Sequence, residues 1–432
     1  MALEPMPAYG SNTMHSLRPL FPLLVTAGIL LAGNGLQGTL IALRGAQEGF
    51  SPGLIGFMGT AYFAGFFLGC LFITRMLRAV GHIRTFAALA ALAASGTLAL
   101  VMVIDPLVWA VMRFVVGFCF AGLFTTIESW INSGVANENR ARALAFYRII
   151  DLVSVTLSQF MIPLFGPGGF VIFGVMAIMI TLSLVPVSLA DRSNPTPPAE
   201  MSLDLKGVWA LSPLACMGCI VAGLSNSAFR LVGPVYAEGI GLSVTDIAIF
   251  ISLGVIGGVV LQYPLGSLSD RWDRRWVLLV TSAASMVLAL ALAFGAGDSR
   301  PANFVLIFFF AAFAMPIYSL AAAHANDHAG TGGYVKVAAA LMFFYSIGAV
   351  IGPLVSAFLM ERFGLSALFL YSAAVYALFV AVTLWRMAAR SALPRAQRGR
   401  FASLLRTSPF FVKLAYRGDQ RAKPAVDKEE SG

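Results

Sequence analysis

The stretch ADRSNPTPPAEMSLDLKG, residues 190–207, is the one sizeable polar interruption between residues 18 and 388. Six apolar runs precede it, at about 18–42, 53–75, 84–104, 106–131, 142–166 and 168–189. Six more follow, at about 209–233, 243–268, 276–296, 302–323, 335–360 and 364–388. A helix needs about 20 residues to cross about 30 Å of hydrocarbon, so each run is long enough to span a bilayer. Ser51-Pro52, Asp105-Pro106, Gly166-Pro167-Gly168 and Arg300-Pro301 are turn signals between runs.

Composition points the same way. Of 432 residues, 59% are hydrophobic and 11% charged, where a soluble protein carries about 25% charged residues. Mean hydropathy is +0.83. Lipid is then the main solvent, and helices satisfy their own backbone groups in it. The alternation of a strand with a polar lumen face is absent, which argues against an outer-membrane barrel. The expected fold is an all-α polytopic membrane protein, with twelve transmembrane helices in two six-helix bundles. Its parts are an N-terminal segment (1–17), a first bundle (18–189), a linker (190–208), a second bundle (209–388) and a basic tail (389–432). The N-terminal segment lacks a cleavable signal pattern.

Charge placement sets the expected orientation. With both termini inside, thirteen basic residues fall at inner ends and inner loops before the tail, against Arg44, Arg300 and Arg362 outside. The positive-inside rule then makes both termini cytoplasmic, in a plasma or bacterial inner membrane. The net charge of +9 reflects this distribution and the tail, which is read as lying near anionic headgroups rather than on nucleic acid. Cys216 and Cys219 have redox spacing, but a lipid-embedded helix denies them partners. All four cysteines are read as packing residues. No G-x-x-x-x-G-K-[ST] loop is present, which argues against ATP-driven transport by this chain alone.

The two halves repeat. A shift of 192 residues places Asn34 on Asn226, Gly49 on Gly241, Ser51 on Ser243, Ile55 on Ile247, Gly65 on Gly257 and Gly81 on Asp273. Parallel repeats of six helices fit a transporter that rocks about a central site. A channel would need charged or carbonyl rings, which the sequence does not offer.

The loop GSLSDRWDRR, 266–275, resembles the G-x-L-x-D-R-x-G-R-R loop motif of the major facilitator superfamily. Gly266, Leu268, Asp270, Arg271, Arg274 and Arg275 match, while Asp273 replaces the second glycine. In the first half, RAVGHIR keeps Gly81 and Arg84 but has Arg78 at the aspartate position. The resemblance makes both loops gate elements. RFVVG, 113–117, is similar to the family's R-x-x-x-G motif, whose arginine is tied to proton coupling, and GAVIGP, 348–353, is a packing motif. The antiporter signature expected in span five is missing from RIIDLVSVTLSQFMIP. ESWIN (128–132), RARALAFYR (140–148) and YSLAAAHANDH (318–328) are similar to the YcaD-type subgroup of the superfamily. The resemblance implies the twelve-helix fold, alternating access, and a central cavity lined by spans one, four, seven and ten.

Charges inside spans cost about 2.5–3.5 kcal/mol each on insertion scales, so each needs a reason. Arg113 and Glu128 lie fifteen residues apart, roughly 22 Å along a helix, and cannot pair. Arg113, Gly117, Ala121, Phe124 and Glu128 share about 80° of one face. Two readings stand for Glu128, a helix end meeting water or a coupling carboxylate, and Trp130 as an interfacial anchor favours the first. Asp151 also has two, a salt bridge to Arg148 or a proton carrier. Arg113, Glu128 and Asp151 are the coupling candidates.

Asn34, Gln37, Asn226 and Arg230 are candidate solute contacts, with polar glue between helices the competing reading for the asparagines. Arg230 with Arg113 would suit an anionic group. His324, Asp327 and His328 have metal-compatible spacing but no fourth ligand, so His324 and Asp327 are assigned to an inner gate network instead. No metal or cofactor is expected. The expected function is secondary transport of a small organic solute, coupled to protons, by a monomer in a lipid bilayer. The alternatives are a polytopic enzyme using the His324–Asp327 region and a non-transporting solute sensor acting through the tail.

Overall fold

A computed structural model describes residues 21–134, 140–189, 203–329, 334–389 and 401. The N-terminal segment, most of the linker and all of the tail but Ala389 and Phe401 lie outside the described residues, as does the side chain of Asn132. Twelve helices are long and apolar enough to cross a membrane. Spans 1–6 are Phe21–Gln47, Pro52–Val80, His82–Met102, Pro106–Ile131, Ala145–Phe165 and Phe170–Leu189. Spans 7–12 are Pro213–Gly239, Val244–Arg271, Arg274–Phe294, Arg300–Asp327, Lys336–Phe363 and Ala367–Ala389. The face holding the turns at Gly49, Gly166, Gly241 and Gly364 is called outer, after the charge rule.

The sequence repeat is a structural one. Gly49 and Gly241 both take positive φ, 77° and 82°, the left-handed turn that glycine adopts without a Cβ penalty. Two residues later Ser51 and Ser243 cap spans 2 and 8, accepting from Leu54 N and Asp246 N. Gly65 and Gly257 sit where span 2 crosses span 4 and span 8 crosses span 10. A methyl group at either would collide with the carbonyl oxygen of Phe114 or Phe308. Small residues at these crossings let backbones approach in lipid, where helix association depends on packing.

Proline decides where spans break. Proline removes the bond to the carbonyl four residues earlier and its ring clashes there. Pro163, Pro186 and Pro264 accordingly follow helix ends at Gln159, Leu182 and Val260 by four residues each. Span 10 is interrupted at Met315-Pro316, between Arg300–Ala314 and Ile317–Asp327. Gln159, Gln262 and Met315 stand at three of these breaks, and all three face the same central space.

Spans 2 and 11 meet along their length, with Phe67 against Phe343 at 5.2 Å between ring centroids toward the inner side and polar bonds on the outer halves. Thr60 Oγ1 donates to Val350 O at 2.6 Å, and Gly53 N donates to Glu361 Oε2 at 2.9 Å. Gly56 brings span 2 against the Pro353 carbonyl, and Gly38 brings span 1 near the Arg230 carbonyl.

Candidate functional site

A cavity of about 200 Å³ lies between the bundles, inward of these contacts. Spans 1, 2, 4 and 5 line it from one bundle and spans 7, 8, 10 and 11 from the other, while spans 3, 6, 9 and 12 contribute no lining residue. Its polar lining includes Asn34, Gln159, Asn226, Arg230, Arg148 and Asp151, and its walls include Phe63, Phe66 and Phe229.

Span 4 departs from expectation. Phe124 is its single lining residue; Arg113 and Glu128 are 3% and 1% exposed and do not line the cavity. The physical reason lies on the face they share. A methyl group at Gly117 would strike the Tyr62 carbonyl, and Ala121 packs at Gly69, so this face is the crossing with span 2. Arg113 donates to Gln37 Oε1 at 2.7 Å and stacks over the Tyr62 ring at 4.3 Å. Gln37 in turn donates to Thr97 Oγ1 at 3.2 Å. Gln37 is therefore turned away from the cavity, 1% exposed with both ends of its amide engaged. Tyr62 is the link outward: it lines the cavity and donates its hydroxyl to Asn34 Oδ1 at 2.6 Å.

The three coupling candidates have different surroundings. Arg113 belongs to the Gln37–Tyr62 cluster and Asp151 to the cavity. Glu128 is buried beside Tyr147, whose hydroxyl donates to Oε1 at 3.4 Å. Trp130, expected at the lipid interface, is instead 6% exposed and packs edge-on against His82, with ring centroids 5.8 Å apart. His82 also bonds Ser129 at 3.1 Å. That misreading follows from sequence distance, since His82 comes from span 3.

Arg148, next to Asp151 on span 5, donates across the bundle interface to Gln262 Oε1 at 2.5 Å. Gln262 donates onward to Ser319 Oγ at 3.0 Å. Gln159 holds span 5 to span 1, donating to Gly35 O at 2.9 Å and accepting from Thr39 Oγ1 at 2.7 Å. Tyr62, Gln159 and Gln262 escaped sequence reasoning. Their signal was present as lone amides beside a span-breaking proline and a tyrosine in mid-span.

The loop network is centred on Arg274, 1% exposed. It pairs with Asp327 at 2.6 Å and Asp270 at 3.1 Å, and donates to Ser269 at 2.8 Å. Asp327 is thus tied to the loop motif from span 10. Asp273, at the glycine position of the motif, caps span 9 and pairs with Arg275 at 2.7 Å. Phe401 of the tail donates its backbone N–H to both Asp270 oxygens, at 2.9 and 3.0 Å, and its ring fills the space a Cβ on Gly266 would take. In the first-half loop, Gly81 takes φ 85° between spans 2 and 3, and Arg78 and Arg84 are exposed, as is Arg271 in the second. His324 lies ring to ring with His328, centroids 4.8 Å apart. Among the described residues no group of three or more His, Cys, Asp or Glu could hold a metal ion.

Two helical bundles with a central cavity lined from both define a multi-pass membrane transporter architecture. The chain belongs to the Major Facilitator Superfamily, whose family model matches residues 23–333 and 215–418. An uncharacterised transporter of this superfamily from Enterobacter sp. (strain 638) is 26% identical over 372 residues, covering 85% of this chain and 95% of its own. The uncharacterised transporter YcaD of Salmonella typhimurium (strain LT2) is 25% identical over 369 residues, with the same two coverages. The second bears out the YcaD-type resemblance. Among solved structures, the nucleoside transporter NupG superposes with a TM-score of 0.72 at 13% identity, over 85% of this chain and 98% of its own. A bacterial homologue of the human lysosomal transporter Spinster, inward-facing and occupied, gives 0.70 at 13% identity, over 90% and 99%. At such identities these structures share the fold, and this chain's site must be read from its own residues.

Proposed function

We propose that this protein moves a small organic solute across the membrane by alternating access, coupled to protons, with Asp151 as the carboxylate that carries them. The observation that carries this reading is the cavity itself. Both bundles line it, it sits inward of the polar bonds between spans 2 and 11, and Asp151 is the acidic residue in its lining. The outer contacts close one side of the cavity, and the Arg148–Gln262 bond joins the bundles further in.

Coupling follows from the position of Arg148. With Asp151 charged, Arg148 is attracted to its own span, three residues along. With Asp151 protonated, that attraction falls and the bond from Arg148 to Gln262 across the interface gains weight. Protonation thereby biases the two-bundle equilibrium through a bond that differs between its states. Glu128 is the second coupling carboxylate, acting through Tyr147.

A solute library in proteoliposomes with an imposed pH gradient tests the proposal. Asp151→Asn should abolish pH-driven accumulation while leaving solute exchange without a gradient. If Asp151→Asn and Glu128→Gln both leave pH-driven transport unchanged, the coupling assignment fails.

A further inference from the structure

The polar groups that spans 1 and 7 turn into the cavity share one chemical bias. Arg230 is exposed although it lies nine residues from the outer end of span 7, and its exposure is to the cavity. Among the described residues no hydrogen bond or ion pair holds its guanidinium. One turn further in, Asn226 is 2% exposed, lines the cavity, and has an amide nitrogen without a partner. Opposite, the Asn34 oxygen is taken by the Tyr62 hydroxyl, so the group Asn34 still offers is its NH₂. The charged group free at this end is therefore a cation, the Arg230 guanidinium, with the Asn34 NH₂ as a donor beside it. Arg113, 4.3 Å behind the Tyr62 ring, adds positive potential without being reachable from the cavity.

A guanidinium without a partner repels an ammonium group and leaves a neutral carbonyl under-used. It matches a carboxylate, which accepts several bonds and pairs with the planar guanidinium fork. The remaining wall is aromatic, from Phe63, Phe66 and Phe229, and asks for an apolar body. Size narrows the class further: about 200 Å³ falls below the roughly 300 Å³ at which drug-sized pockets begin.

We infer that the cavity takes a small organic monoanion, its carboxylate on Arg230, Asn226 and Asn34 and its apolar body against the phenylalanines. The inference rests on the reading of this cavity as the transport site, and it replaces a pair of arginines with one. Arg113 positions Tyr62, and Arg230 binds.

The test is calorimetric titration of the purified full-length protein at pH 7 with benzoate and 3-phenylpropionate, using benzamide and benzylamine as neutral and cationic counterparts. A carboxylate should bind at least tenfold more tightly than benzamide, with no binding of benzylamine. Arg230→Gln should bring benzoate down to the level of benzamide, and Arg230→Lys should fall between. Asn226→Asp should also lose the carboxylates, because the new acid pairs with Arg230, while benzamide binding reports that the cavity is intact. Failure of both carboxylates to bind, equal affinity for benzamide, or an unchanged affinity in Arg230→Gln overturns the assignment. Carboxylate binding with no flux of any solute in vesicles would instead overturn the transport reading and leave the anion site standing. Flux of a different solute that is indifferent to Arg230→Gln would do the reverse.

Discussion

Glu361 closes the outer side with a bond whose loss can be followed directly. Its carboxylate, at the end of span 11, accepts from Gly53 N at 2.9 Å and from Ser51 Oγ at 3.3 Å, in the first turn of span 2. One bundle thus caps a helix of the other, with charge placed on the favourable end of the helix dipole. A hydrogen bond to a charged group contributes about 1.5–3 kcal/mol. Glu361 is exposed, so screening lowers that to about 1 kcal/mol. Such a loss shifts a two-state equilibrium about fivefold. Glu361→Gln should therefore raise the outward-open population about fivefold. Gly53→Ala should do the same, because its methyl collides with the Glu361 oxygen and displaces it. Both changes break one bond, so the double variant should shift no further than either alone, a coupling of about 1 kcal/mol. Spin labels at Leu54→Cys and Phe358→Cys, positions 40% and 60% exposed, report the separation of spans 2 and 11. The four native cysteines are buried and leave labelling specific. Unchanged distance distributions in both single variants, or a double variant shifted by the sum of the two, would refute the latch.

Three further outcomes are expected from thermal unfolding in detergent. Gly65→Ala should destabilise by about 1–3 kcal/mol, because its methyl meets the Phe114 backbone rather than a movable side chain; Gly174→Ala, whose nearest neighbour is the Phe170 ring at 3.5 Å, should be neutral or stabilising. Gln37→Leu should cost about 1.5–3 kcal/mol by stripping Arg113 of its acceptor, whereas Tyr62→Phe, which keeps the ring beneath the guanidinium, should cost less. Asp327→Asn should lower the melting temperature several times more than Asp270→Asn, since Asp327 is 4% exposed and Asp270 31% in their pairs with Arg274. A buried pair broken on one side costs about 3–5 kcal/mol and a surface pair under about 1. Equal losses from the two aspartates would show that burial does not rank them.

Much of this protein was determined by its sequence alone. Twelve apolar runs must become helices, because lipid offers no partner for a free backbone group. The 192-residue repeat fixed where glycine turns and serine caps recur, and the structure places Gly49, Gly241, Ser51 and Ser243 in matching roles. Local chemistry of this kind depends on neighbours within a few residues, so a single chain displays it. The cavity was different. Helical periodicity put Arg113 and Glu128 on one face of span 4, but which face meets span 2 and which meets solute depends on close approach at Gly117 and Gly69. Tertiary packing decided that Arg113 lies behind Tyr62, that Gln37 spends its amide on Arg113 and Thr97, and that Arg230 stays open. A buried polar group must find its partner across helices tens or hundreds of residues apart, and that pairing exists only once the bundles have formed.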